Sequence, residues 1–583
     1  MGRITQYKMK KIVLFGAGKR GKEAYSILHR EYDIIAFADN KASLRGNLLY
    51  GKEIICAEDI KNYGIDEIII ATIFFYRIGV QLENLGYNNI FVFDTRERSK
   101  SKVDYIVFPF QKMVFEDFIF QKKNFTQRKD LHSHTGKKKV LMIAYTFPPK
   151  GGAGVQRPLK FIKYLREYNY EPVVLTSGGN NYIHIADDTL KEDIPFGLKI
   201  IRVEDKFDYS YLYSKNRMQE VIDYLYQVID SEEIIKELFL SQEINAGRML
   251  PDERIFWEVD CIKCIEEKIN MDEIDLIWST VPAFSQHILA YYLKMKYGIP
   301  WVADYRDLWT TDKRYSSLYT WYTDRDIKLQ EPIEHSLTKK MDAIVVAGGF
   351  WKENFIKKFG ISEDCITEIT NGYDEQDFAN IKKKNTMNQK FTLCYNGSMY
   401  PQCRNPRWLL QVLDNMIYEN EIEANEICWI INGDISQEFQ SVIDQWDKYH
   451  IVKTTNVLPH KKSIQIAMNA DLLVFYGENG DNGELNYPGK FYEYLRMERP
   501  ILCFSGHNSF QEKIINELGI GKNFDYGEFE GEVREFLKQE YVLWKKETPP
   551  ILNHNKKIER FERKNLTKKL SIVFDKVLSK KIL

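Results

Sequence analysis

Short apolar runs and amphipathic stretches alternate along most of the chain, and the alternation starts three times. From Lys10 to about Asp94 the runs KKIVLFGAG, DIIAFADN, DEIIIAT and NIFVFD are separated by the helical patterns GKEAYSILHREY and VQLENLGY. Ile- and Val-rich runs of this kind, spaced by helices, predict parallel strands covered on both faces. From residue 96 to 137 the rhythm lapses into RERSKSK and QKKNFTQRKDLHSHTGKKK around the aromatic stretch IVFPFQKMVFEDFIF, which predicts a linker carrying one docking helix or strand. It restarts at Lys139 with KVLMIAYTFPPKGGAG, then a helix over about 155–168, EPVVLTS, DLIWSTV, PWVADYRD, DAIVVAG and ITEITNG, with a helical insertion over about 208–270. After the polar IKKKNTMNQK it starts again with FTLCYNGSMY, ICWIIN, VKTTNVL, DLLVFYG and PILCFSG. The spacing therefore predicts an α/β protein. Its parts are a small doubly wound domain over 1–95, a linker over 96–137, two larger doubly wound domains over 138–380 and 381–553, and a basic helix over 554–583.

Composition narrows the function classes. A chain of 583 residues with 44% hydrophobic positions is too long for one core. Its 82 Lys and Arg nearly cancel its 83 Asp and Glu, so the net charge of -1 gives no global attraction to nucleic acid, and none is expected as partner. No apolar run approaches the roughly 18–20 residues that span a bilayer. The start MGRITQYKMKKIVLFGAGKRG passes from basic residues straight into a strand, without a signal peptide's long apolar region, so a cytoplasmic protein is expected. Eight scattered Cys fit reduced thiols. Cys261 and Cys264 form a lone CxxC on a predicted helix and read as packing. His132 and His134, in the linker, have nothing nearby to complete a ligand set.

Two glycine loops carry candidate chemistry. Gly16, Gly18 and Gly21 form G-x-G-x-x-G between a strand and a helix, and Asp39 ends the next strand about twenty residues on, where a ribose hydroxyl would be met. Either this loop binds a nucleotide or its glycines only shape a turn. The stretch resembles the small nucleotide-binding domain at the N-terminus of bacterial sialic-acid-type sugar O-acetyltransferases. The second loop, Thr146 to Val155, places Gly151 and Gly152 at a helix N-terminus, where bare N–H groups suit an anion such as a sugar-nucleotide diphosphate. On that helix Arg157, Lys160, Lys163 and Arg166 flank an apolar stripe. They read as a solvated face or as a contact for anionic lipid headgroups.

FPPKGGAGVQRPLKFIKYL, STVPAFSQHILA, WVADYRDLW, TNGYD and YPGKFYEYL, in this order and each at a strand end, resemble glycosyltransferase family 4 over about residues 138–583. The resemblance implies a GT-B fold, two Rossmann-like domains facing a cleft, and a retaining transferase that draws on a nucleoside diphosphate sugar, UDP- or GDP-linked. It implies no metal or other cofactor. By position, Glu493 would bind the donor ribose, Gly489 and Lys490 would open the helix holding the diphosphate, and Arg404, beyond Gly397, would grip the same group. Gly151 and Gly152 would line the cleft from the acceptor side. Two positions depart from the family: Leu485 stands where its first Glu is common, with Glu484 displaced by one, and Ser398 and Met399 stand where an arginine is usual.

Asp304, Arg306 and Asp307 end the strand PWVADYRD. Two carboxylates around an arginine either orient a sugar or close the loop as a structural ion pair. His287, at a helix start, could polarise a hydroxyl or simply pack. The tail carries Lys556, Lys557, Arg560, Arg563, Lys564, Lys568, Lys569, Lys576, Lys580 and Lys581, with Leu566, Leu570, Val573, Phe574 and Val577 at helical spacing. It reads as a helix crossing back to the middle domain, with peripheral contact to the inner face of the plasma membrane as the sharper reading. The function expected is transfer of a sugar to a hydroxyl of a glycan or lipid-linked glycan in bacterial surface polysaccharide synthesis. A nucleotide-sugar epimerase or hydrolase on the same scaffold, or a non-catalytic nucleotide-sugar-binding scaffold, are the alternatives.

Overall fold

The computed structural model of the chain describes all residues except 1–8, 73–74, 100–101, 111–135, 179–185, 207–211, 213, 241–249, 316–321, 380, 382–387, 398, 400–404, 434, 436, 456, 526, 528–529, 548–554 and 581–583. Each of the three alternations builds one sheet. The first contains β1 (Lys11–Phe15), β2 (Asp33–Ala38), β3 (Leu48–Leu49), β4 (Lys52–Ile55), β5 (Glu67–Ile70), β6 (Ile90–Ser99) and β7 (Lys102–Pro109), in the order β3-β4-β2-β1-β5-β6-β7. Its β-branched centre is parallel, and the β3–β4 and β6–β7 hairpins close its two edges.

The stretch expected as linker from residue 96 is therefore sheet in its first part. β7 runs antiparallel to β6, with Phe91 opposite Pro109 and Thr95 opposite Tyr105. An edge strand needs only one paired side, so charged residues and a terminal proline are tolerated there.

The second sheet holds β8 (Lys138–Ile143), β9 (Tyr170–Gly178), β10 (Lys199–Glu204), β11 (Leu276–Val281), β12 (Trp301–Tyr305), β13 (Ala343–Val346) and β14 (Ile366–Glu368), ordered β10-β9-β8-β11-β12-β13-β14 and parallel throughout. The third holds β15 (Phe391–Asn396), β16 (Ile427–Asn432), β17 (Val452–Thr455), β18 (Leu472–Tyr476), β19 (Ile501–Phe504) and β20 (Gly521–Phe524), ordered β17-β16-β15-β18-β19-β20 and also parallel. Both sheets reverse their winding beside their first strand, at β8/β11 and β15/β18. In open α/β sheets the crevice for a ligand lies beyond the strand C-termini at that reversal.

The helical insertion comprises Lys215–Val228, Glu232–Leu240 and Ile255–Lys268, whose apolar faces join the core of the second sheet through Leu225, Trp257 and Ile265. The last helix, Arg563–Ser579, belongs to the middle lobe. Leu566, Leu570, Val573, Phe574 and Val577 bury themselves against Val140, Phe161 and Leu165, and Phe574 meets Tyr170 edge-on at 5.2 Å. Lys568, Lys569 and Lys576 stay exposed on its other side. Among the described residues no helix is long and apolar enough to cross a membrane.

Candidate functional site

The reversal points of the second and third sheets face each other across a crevice of about 620 Å³. The middle lobe contributes Gly152, Gly154, Arg306 and Asp307, and the last lobe contributes Gly397, Gly433, Gly489, Lys490 and Glu493. Arg563 enters from the returning C-terminal helix.

On the middle-lobe wall, Gly152 (φ 90) caps the Ala153–Leu165 helix in a conformation that favours glycine. Gly151 is half-buried beside it and is not part of the lining. Gly154 has a packing reason of its own: a Cβ there would lie 2.5 Å from Arg306 Nη1. Arg306 donates from Nε to the Val281 carbonyl at 3.0 Å and from Nη2 to the Pro282 carbonyl at 3.2 Å, which fixes the guanidinium beside the opening. Burial lowers its pKa and raises that of Asp307, whose carboxylate accepts from the Tyr315 hydroxyl.

Two residues expected at the chemistry are not in the crevice. Asp304 is completely buried and pairs with Arg157, which donates from Nη2 to Oδ1 at 2.6 Å and from Nε to Oδ2 at 2.9 Å, while the Thr280 hydroxyl also donates to Oδ2 at 2.7 Å. Arg157 and Thr280 hold it in the interior, where it serves as the counter-ion of a buried arginine. His287 is also fully buried. It shares a 2.8 Å hydrogen bond between Nδ1 and the Ser279 hydroxyl and packs on Trp301 and Tyr305. Burial drives its pKa down to about 3, so the imidazole is neutral and structural.

The basic face of the Ala153–Leu165 helix is neither solvated nor free for lipid. Arg157 and Lys160 are buried. Lys160 Nζ lies 2.7 Å from Asp193, 2.7 Å from Asp374 and 2.8 Å from Asp377, and Lys163 shares Asp193 and Asp374. These three acids are the one group among the described residues spaced to hold a metal ion, but the Lys160 ammonium already lies among them. Arg166 is taken by Glu171.

On the last-lobe wall, Gly397 (φ 129) leaves β15 with its Cα so near Lys490 that a Cβ would lie 2.8 Å from Nζ. Gly433 is just as constrained, since a Cβ there would meet the Gly397 carbonyl at 2.2 Å. Lys490 Nζ donates to the Tyr395 hydroxyl at 2.8 Å. The Gly489–Arg496 helix starts at the crevice without a side-chain cap, so its first N–H groups keep no intrahelical acceptor. Glu493, one turn on, bonds His460 at 2.7 Å. Burial alone would raise the Glu493 carboxyl, but the His460 imidazole holds it below the ordinary value. His460 in turn is raised by Glu493 against the effect of burial. The His460 backbone N–H donates to Asp187 at 2.8 Å, linking the two lobes.

Arg404 and Ser398 lie outside the described residues. Leu485 is a fully buried core residue, and Glu484 turns to Arg314 at 3.1 Å, so neither replaces the family's first Glu in the lining. In the N-terminal domain a Cβ on Gly21 would lie 1.7 Å from the Gly16 carbonyl, and Gly16 has φ 119. A Cβ on Gly18 would meet nothing. Asp39 accepts from the Ala17 and Lys41 N–H groups at 2.9 Å each. Gly16, Gly21 and Asp39 thus each have a local structural task.

His460 and Arg563 were not singled out by sequence pattern. His460 follows β17 in the stretch LPHKK, and Arg563 is one of many cations in the tail.

Residues 8–93 match the family described as C2185-like, N-terminal. No curated protein matches the chain. Among solved structures it is similar to a glycosyltransferase from Rickettsia africae (13% identity, 76% of this chain and 99% of that one, TM-score 0.47). It is also similar to Alr3699/HepE of Anabaena, solved with UDP-glucose (11%, 75% and 99%, TM-score 0.47). A third is the sucrose-phosphate synthase of Thermosynechococcus elongatus (9%, 76% and 100%, TM-score 0.49). Likenesses this distant assign no activity to this chain.

Proposed function

We propose that the protein is a retaining glycosyltransferase. It moves a sugar from a UDP- or GDP-linked donor to a hydroxyl of a glycan or lipid-linked glycan, in bacterial surface polysaccharide synthesis at the cytosolic face of the membrane. The observation that carries this reading is the two-walled crevice, with an uncapped helix start, Lys490 and Glu493 on one wall and Gly152, Gly154 and Arg306 on the other. Bare amides and an ammonium suit a diphosphate, and a carboxylate suits a ribose diol.

In the reaction the acceptor oxygen bonds to the anomeric carbon on the face from which the diphosphate leaves. The bond from that carbon to the phosphate oxygen breaks, and the acceptor proton passes to the departing phosphate. Lys490 and the Gly489 amide stabilise the charge that develops there, and no metal is needed. Arg306, fixed by the Val281 and Pro282 carbonyls, faces the sugar end of the crevice, and Asp307 beside it supplies hydrogen bonds to sugar hydroxyls.

The test is incubation with a panel of nucleotide sugars and glycan acceptors, with release of nucleoside diphosphate measured and the product anomer read by NMR. Transfer with retained configuration is expected, and Glu493→Ala should abolish donor binding. Free sugar or an epimer as the product would favour the hydrolase or epimerase reading, and binding without turnover the scaffold.

A further inference from the structure

Arg563 breaks local rules that its neighbours obey. It is 2% exposed, and Nη1 is sealed from solvent without a hydrogen-bond partner. A buried cation left in this way is costly, and most proteins pair it or expose it. The carboxylates around it are already engaged. Glu493 bonds His460 at 2.7 Å, and Asp374 accepts from Lys163 at 2.8 Å and from the Tyr164 hydroxyl at 2.6 Å besides its pairing with Lys160. The cation Arg157 is near enough to disfavour it further, and with burial as the larger cause its pKa falls to about 10.

It is also the first residue of the Arg563–Ser579 helix, whose first turn holds no acid. A cation at a helix N-terminus opposes the helix dipole. Nothing about helix stability therefore asks for arginine at this position.

The backbone nevertheless holds it in place. The Arg563 N–H donates to the Tyr373 carbonyl at 2.8 Å, and the Tyr373 N–H donates to the Phe561 carbonyl at 3.1 Å. Gly372 makes that approach feasible, since a Cβ there would lie 2.0 Å from the Phe561 carbonyl. The TNGYD segment thus docks the returning chain so that Arg563 lines the crevice between Glu493 and the middle lobe. Cost accepted at one site, with the surroundings built to enforce it, is the mark of a binding group.

We propose that Arg563 is a phosphate-binding residue of the crevice, delivered by the C-terminal helix to the diphosphate of the donor. This rests on the nucleotide-sugar reading above. It gives the crossing helix a task beyond packing, because the last residues of the chain then complete a site built by both lobes.

The test titrates UDP, GDP, inorganic pyrophosphate and the nucleosides uridine and guanosine into the full chain and into Arg563→Gln and Arg563→Lys, by calorimetry. The thermal midpoint of each unliganded protein is measured alongside. A charge-assisted hydrogen bond supports a loss of roughly tenfold to hundredfold in diphosphate affinity for Arg563→Gln. The loss should be smaller for Arg563→Lys and absent for the nucleosides, and the unliganded midpoint of Arg563→Gln should not fall. Unchanged diphosphate affinity in Arg563→Gln overturns the proposal. So does an equal loss for nucleosides with a lowered midpoint, which makes the arginine structural. If the wild type binds pyrophosphate through Arg563 but neither nucleotide, the nucleotide-sugar reading fails and the phosphate site stands. Binding of none of these probes overturns both.

Discussion

Replacing Lys160 by Met should damage the protein more than any surface change, and in a way that depends on pH. The ammonium lies within 2.8 Å of each of three buried carboxylates, Asp193, Asp374 and Asp377. It ties the Ala153–Leu165 helix to the segment that leads into the last lobe. Removing one partner of a buried ion pair costs about 3–5 kcal/mol, and here, among the described residues, Lys163 reaches only Asp193 and Asp374 while Asp377 keeps only His460 at 3.9 Å, so the upper part of that range is expected.

The sign with pH follows from the shifts. Burial would raise Asp193 and Asp374, but Lys160 and Lys163 together, with the Tyr164 hydroxyl at Asp374, outweigh it, and both lie below the ordinary carboxylate value. Their contribution is therefore present above the unfolded pKa and lost only as pH falls through the depressed folded values. Lys160 is raised by its acids against the effect of burial. Its contribution is present below the unfolded lysine pKa and lost only as pH climbs through the raised folded value. Asp377 differs, because burial outweighs Lys160 there and holds it above the ordinary value, so the wild-type cluster is flat with pH only between that raised value and the lysine limit.

In Lys160→Met the crowded acids take up a proton, so at least one folded pKa rises above its unfolded value. The variant then regains stability as the solution is made acidic. Urea unfolding followed by tryptophan fluorescence, at about pH 8 and about pH 5, reads this directly. The deficit should be near its full size at the higher pH and clearly smaller at the lower. A deficit below about 1 kcal/mol, or one equal at both pH values, refutes the reasoning, since it would make the cluster no stronger than a surface pair.

Other expectations are of the same kind. Asp304→Asn should destabilise by about 3–5 kcal/mol because it strands Arg157, while the rate per folded molecule changes only a few-fold; a loss of a thousandfold would return Asp304 to the chemistry. Gly154→Ala must displace the Arg306 guanidinium, so kcat/KM should fall while the fold survives, and an unaltered rate would remove Arg306 from the site. His460 has a raised pKa, so its pairing with Glu493 stabilises below the unfolded histidine value of about 6.5 and fades as pH rises through the folded value. The wild-type thermal midpoint should therefore decline on that limb relative to His460→Gln, and parallel curves would contradict the pairing.

The alternation of apolar runs made the three parallel sheets legible, because strands such as KVLMIAY and DLLVFYG are buried on both faces and carry no polar interruption. Edge elements were harder to read. The patterns of the edge strands β3, β7, β10 and β20 are short or charged, since an edge strand is only partly buried. The crevice followed from strand ends, and Gly152, Gly397, Gly489, Lys490 and Glu493, expected at a cleft, line it. Periodicity cannot say whether a basic residue meets water or an acid far along the chain. Lys160 looked like a solvated face until the fold brought Asp377 to it, 217 positions away. Asp304 and His287 looked like site residues because strand ends and helix starts near a cleft hold both inward and outward side chains. Which way each turns is decided by partners, Arg157 and Ser279, that lie in other elements.

The central idea is that one crevice grips a nucleoside diphosphate between a glycine-opened helix and cations from both lobes. A structure of the protein soaked with UDP or GDP tests it most directly. The expected density places the diphosphate within hydrogen-bond distance of the Gly489 amide and Lys490 Nζ, with the ribose at Glu493. A nucleotide seated instead on the Gly16 loop of the N-terminal domain, with the crevice between the lobes left to solvent, would contradict it.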